Sequence, residues 1–131
     1  MNYFQFGNLC FNISCSEQII ILMVSAKSEH KDLQEFINCA VEKDYKENYY
    51  YEESCDWITL PELKAQIINT PISDKDKQYM FQMIEGMSKR VHIELEEIEN
   101  IITVFESEWN DYTIAFETKH CRYYFNWTTT A

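Results

Sequence analysis

Glycine and proline are nearly missing from this chain, with two of each in 131 residues. That scarcity excludes collagen, low-complexity linkers and glycine-rich phosphate loops. Positive charge is short as well: 11 Lys and Arg stand against 22 Asp and Glu, a formal net charge of -11. A surface this negative repels nucleic acid and anionic membranes and draws in basic partners. Long apolar runs are also missing. The longest, Ile19 to Val24, has six residues, against the roughly 20 needed to span a bilayer. The start, Met1-Asn-Tyr-Phe-Gln-Phe-Gly, has no basic residue of the kind that opens a secretory signal.

Catalytic and metal motifs are lacking too. The five cysteines (Cys10, Cys15, Cys39, Cys55, Cys121) contain no C-x-x-C spacing, and their odd number would leave a thiol over from any disulfide framework. His30, His92 and His120 lie far apart, and none joins a cysteine pair in a zinc pattern. Free thiols in a reducing cytoplasm are therefore expected, with neither metal nor cofactor. No G-x-S-x-G elbow and no calcium loop occurs. His120 and Cys121 are adjacent, but strand neighbours point to opposite faces, and Cys121 reads as a small core residue. No catalytic residue is assigned, and the chain reads as a non-enzyme.

What is present is apolar and aromatic: 46% hydrophobic residues, with 15% aromatics dominated by nine Tyr and eight Phe. One domain, 1–131, with a real core is the expectation at this length. Residues 3–13 alternate apolar and polar with a phase shift at Gly7-Asn8, and residues 18–26 (QIIILMVSA) form a short β-branched run. These predict an antiparallel hairpin turning at 14–17, with a strand covered on both faces at 18–26. In 29–45, behind Ser28 as cap, Leu33, Phe36, Ile37, Ala40 and Val41 keep helical spacing and predict an amphipathic helix. Thr59-Leu-Pro-Glu62 opens a short helix over about 60–69, and Ser73-Asp-Lys-Asp76 opens a second long one with Met80, Phe81, Ile84 and Met87 as its stripe.

From Val91 the period becomes two. Val91, Ile93 and Leu95 come first, followed by 101–106, 112–117 and 121–128, which predicts a four-stranded antiparallel meander. Helices grouped between strand pairs make the fold class α+β: an antiparallel sheet packed with two long helices and one short one. The stretch 46–54 is compatible with an edge strand or an ordered loop.

The charge is concentrated. Glu94, Glu96, Glu97, Glu99, Glu106, Glu108, Asp111 and Glu117 occur with no Lys or Arg between them, and a second acidic stretch runs from Glu42 to Glu62. Like charges on adjacent strands destabilise, a cost better tolerated where something basic covers them. Glu94, Glu96, Glu106, Glu108, Asp111 and Glu117 are thus the expected contact acids on an outward sheet face. Tyr49, Tyr50, Tyr51 and Trp109 are the expected aromatic anchors, because Tyr and Trp are enriched at binding hot spots. Trp127 reads as core.

The run Glu108-Trp-Asn-Asp-Tyr-Thr-Ile-Ala-Phe-Glu-Thr-Lys-His-Cys-Arg-Tyr-Tyr-Phe-Asn-Trp-Thr-Thr-Thr-Ala131 resembles the end of small bacterial immunity proteins of polymorphic-toxin and contact-dependent growth inhibition systems. The resemblance lies in an aromatic-rich hairpin finishing in Trp-Thr-Thr-Thr-Ala and covers about the last 25 residues. It implies a cytoplasmic inhibitor of a cognate toxin domain, often a nuclease, acting by blocking the active site or substrate groove. The same charge fits a nucleic-acid-mimicking phage or host regulator. A third possibility is a small ligand-binding or enzymatic α+β domain with a pocket between helices and sheet. Monomer and dimer stay equally open.

Overall fold

The computed structural model describes residues 1–7, 18–48 and 58–129. Strand β1 (Asn2–Phe6) pairs antiparallel with β2 (Gln18–Ala26), and helix α1 (Leu33–Asn48) follows. Next come α2 (Leu60–Ala65), a two-residue strand β3 (Thr70–Pro71) and α3 (Asp74–Gly86). The chain ends with β4 (Glu99–Thr103), β5 (Asp111–Glu117) and β6 (Cys121–Thr129). Among the described residues there are six strands, and they form one antiparallel sheet in the order β1-β2-β6-β5-β4-β3. The fold is α+β, as the grouping of periodicities predicts.

Both faces of the sheet are covered, because its central strands are apolar on both sides. Phe36, Ile37, Ala40 and Val41 of α1 and Leu63 of α2 pack on Ile21, Met23, Ala115 and Tyr124. On the other face Met80, Met83, Ile84 and Met87 pack on Ile20, Leu22, Ile114, Phe116 and Phe125. The caps are where their residue types put them: the Thr59 hydroxyl accepts from the Glu62 amide at 3.3 Å, and that of Ser73 from the Asp76 amide at 3.2 Å.

Three expectations are corrected. Val91 to Leu95 is not a strand: it runs unpaired from α3 into a 3-10 turn at Leu95–Glu97. Its alternation has a physical source, since Ile93 is buried and Val91 and Leu95 pack on the α3 cluster. An extended segment lying on a core shows period two with or without a partner, and here β3 pairs with β4 at Thr103 and Ile102. The C-terminal meander therefore has three strands. Helix α1 begins at Leu33 instead of 29, with the Asp32 carboxylate accepting from the Glu35 amide at 2.9 Å. The chain before it is held in a 3-10 turn (Lys27–Glu29) by Arg122, whose guanidinium donates to the carbonyls of Lys27 and His30, both at 2.9 Å. Helix α2 stops at Ala65; Asn69 then adopts a left-handed φ of 45° and delivers the chain to β3. The bend expected at Gly7-Asn8, the turn at 14–17 and the segment 49–54 lie wholly or partly outside the described residues; 46–48 belong to α1.

Candidate functional site

The loop joining β4 to β5 is built around a tight reversal. The Glu108 amide donates to the Asp111 carbonyl at 2.9 Å and the Asp111 amide to the Glu108 carbonyl at 3.4 Å. Trp109 and Asn110 occupy the two central positions, and Thr129 of β6 anchors the turn by donating to the Asn110 carbonyl at 3.1 Å. The geometry projects Trp109 into solvent, and its surface is 73% exposed. An exposed indole at a pinned turn is a rigid apolar contact, available without much conformational entropy loss.

On the α1/α2 side of this loop lies a cleft of about 710 Å³. Its walls come from α1 and α2 (Asp44, Leu63, Gln66), the loop (Phe105, Glu106, Glu108) and the first hairpin (Gln5, Ile19, Ile21). Asp111, Thr113, Asn126 and Thr128 of β5 and β6 complete it. Among the described residues that line it, four are carboxylates, Asp44, Glu106, Glu108 and Asp111, and none is Lys, Arg or His. Asp44 is buried and accepts from the Tyr124 hydroxyl at 3.2 Å. Asp111 accepts from the Asn126 amide at 2.9 Å, and that amide also donates to the Thr113 hydroxyl at 2.8 Å. Burial pushes the Asp111 carboxyl above the usual carboxylate range; the Asn126 hydrogen bond opposes the shift and the charge of Glu108 adds to it.

The predicted contact acids therefore divide. Glu106, Glu108 and Asp111 gather at one end of β5, and Asp44 joins them. Glu117 closes the other end, about 20 Å away for a strand of this length. It does not face outward as expected: it is buried, its carboxylate 2.8 Å from the Arg122 Nε, with the Asn100 amide donating to its second oxygen at 2.8 Å. Glu94 and Glu96 are exposed near that end, Glu94 beside His92 at 2.8 Å, and neither stands on a strand. The expected outward acidic sheet face does not form, because helices cover both faces and Tyr112 to Glu117 are buried. Tyr49, Tyr50 and Tyr51 lie outside the described residues.

Asp44, Asn126 and Thr113 were missed as site residues, yet each carries a signal. Asp44 falls three residues beyond Val41 and four beyond Ala40, in line with the buried stripe of α1, where a carboxylate is out of place. Asn126 and Thr113 sit at inward strand positions next to Tyr124 and Ala115.

On the α3 side of the same loop is a smaller recess of about 330 Å³, bordered by Trp109 and by Glu108, which it shares with the cleft. Trp127, read as core, is half-buried there, its indole N–H donating to the Gln18 side-chain oxygen at 2.8 Å. Among the described residues, no group of three or more His, Cys, Asp and Glu side chains is placed to hold a metal ion, and no helix is long and apolar enough to cross a membrane. The chain matches no family model, no curated protein and no solved structure.

Proposed function

We propose that this protein binds a basic protein partner through the acidic cleft, as a cytoplasmic inhibitor of the immunity-protein class, and that its partner is a toxin domain, in the simplest case a nuclease. The observation that carries the reading is the cleft itself: among the described residues, four carboxylates surround about 710 Å³ with no cation in the lining. Gathering like charges around one concavity, with Asp44 buried in its wall, costs stability, and a lysine or arginine inserted by a partner repays it. A nuclease must line its groove with positive charge to hold phosphates, so it presents such side chains. The likeness of the C-terminal hairpin to immunity proteins supplies the class of partner. A nucleic-acid mimic fits less well, because carboxylates drawn into a concave cleft do not copy the convex phosphate track of a duplex.

The test begins with capture from the source cell at low salt and continues with calorimetric titration of the purified partner. The variant Glu106→Lys/Asp111→Lys is expected to bind about 100-fold more weakly than the unaltered protein, as loss of close interfacial charge pairs does. Stoichiometric unaltered protein should also stop the partner's nucleic-acid cleavage. An unchanged Kd would reject the cleft as the contact.

A second reading has its own support. The cleft falls in the size range of small-molecule sites, roughly 300–1,000 Å³, and holds a carboxyl of shifted pKa. A small organic polycation would suit it. Saturable heat on titration with spermidine, abolished in the same variant, would favour that reading over a protein partner.

A further inference from the structure

The recess on the α3 side of the β4–β5 loop is built differently from the cleft. Aromatic rings make its walls: Tyr79 from α3, Trp109 from the loop, Tyr112 from β5 and Trp127 from β6. Tyr79 is 53% exposed and Trp109 is 73% exposed. Exposing two large rings to water is unfavourable for the isolated fold, and both border one concavity.

Two of the four aromatic walls are held in place by hydrogen bonds. The Tyr112 hydroxyl donates to the Asp76 carbonyl in the first turn of α3, and the Trp127 indole donates to Gln18. The Tyr79 and Trp127 rings stand 6.5 Å apart with planes tilted by 57°, so they do not stack and close the space between them. Asp76 and Glu108 bring two negative charges and Lys75 one positive charge, so the recess is acidic on balance.

Rigid aromatic faces beside acids select a cation that is weakly hydrated and planar. Ring quadrupoles attract any cation within about 6 Å, more strongly the drier the site. A lysine ammonium gives up a tight hydration shell to enter, whereas a guanidinium stacks on rings and keeps its edge donors for carboxylates. At about 330 Å³ the space suits one side chain better than an extended segment. We infer that this recess is a guanidinium site, which receives an arginine side chain of a protein partner between Tyr79, Trp109 and Trp127. It rests on the cleft reading only for the source of the arginine; the guanidinium chemistry belongs to the recess alone.

The experiment needs no partner. N-acetyl-arginine-methylamide, the matching lysine compound and tetramethylammonium chloride are each titrated into the 15N-labelled protein at fixed ionic strength. The indole N–H signals of Trp109 and Trp127 are followed. The expected result is a saturable shift of both signals with the arginine probe, about fivefold weaker binding of the lysine probe, and about fivefold loss in Tyr79→Ala or Trp109→Ala. Both replaced side chains are exposed, so the variants should keep the unaltered spectrum elsewhere. Glu106→Gln/Asp111→Asn, which disables the cleft, is expected to leave the arginine titration unchanged. The two proposals can thus fail separately. Equal binding of lysine and arginine, tighter binding of tetramethylammonium, an absence of saturation, or no effect of Tyr79→Ala would each overturn the assignment.

Discussion

Asp111 shows how one side chain divides its work between fold and surface. Its carboxyl is held above the usual range, chiefly by burial. A group with a raised folded pKa binds its proton more tightly in the native state than in the unfolded chain. It therefore favours the fold at low pH and loses that contribution as pH rises through the folded value. At neutral pH the ionised Asp111 works against stability. Asp111→Asn keeps an oxygen to accept from Asn126 and removes the charge. Its Tm should exceed that of the unaltered protein at pH 7, and the gap should close as pH falls below the range in which Asp111 takes up its proton; a gap of constant size would contradict the shift. Single residues of this kind were only partly legible in the sequence. Acid on β5 and exposure of Trp109 follow from the pattern around Glu108-Trp-Asn-Asp111, whereas nothing in the local sequence distinguishes Glu117, which is paired with Arg122, from its acidic neighbours. That pairing depends on strand register, because Glu117 faces Arg122 across the β5–β6 ladder, and no local pattern states which charges will meet.

Elements were more legible where one physical signal decides them. The stripe of α1, the caps of α2 and α3 and the double-sided burial of β2 all follow from side-chain type and spacing alone. Elements that need a distant partner were not. Val91 to Leu95 has strand periodicity without a strand neighbour, and Thr70–Pro71 has a neighbour without a readable pattern. The start of α1 belongs to the same group, since Arg122 holds the preceding turn from across the molecule. This clasp joins the β2–α1 connection to β5 and β6 through one buried guanidinium. Arg122→Met should cost about 3–5 kcal/mol in urea unfolding, because Glu117 would then be buried with its charge uncompensated. Arg122→Met/Glu117→Leu should recover most of that loss, since apolar replacement of a whole buried pair is often neutral. A double variant as unstable as the single one would show that the carbonyl contacts at Lys27 and His30 matter more than the ion pair.

Across the whole molecule, the net charge of -11 could be counted in advance, but its division between the two ends of β5 could not. One is the acidic cleft end; at the other, Arg122 and Lys27 offset Glu117 and Glu99 and leave Glu94, Glu96 and Glu97. The ends of β5 lie about 20 Å apart, within the Debye length of roughly 30 Å at 0.01 M salt and beyond the roughly 8 Å at 0.15 M. Self-repulsion between them should therefore be felt in dilute buffer and screened at ordinary ionic strength. Raising NaCl from about 0.01 to 0.15 M should lift the Tm of the isolated protein, with a smaller gain beyond that; a flat profile would mean the two ends do not sense each other. The position of β6 has a different outcome. It lies between β2 and β5 although it comes last of the six strands, and its pairing with β2 joins positions separated by roughly a hundred residues of chain. A nascent polypeptide emerging from the ribosome carries β2 with an unsatisfied edge until residues 121–129 arrive. Collapse then has to wait for a late, long-range closure, so chaperone protection of the Ile19–Val24 run during synthesis would decide how much of the protein escapes aggregation.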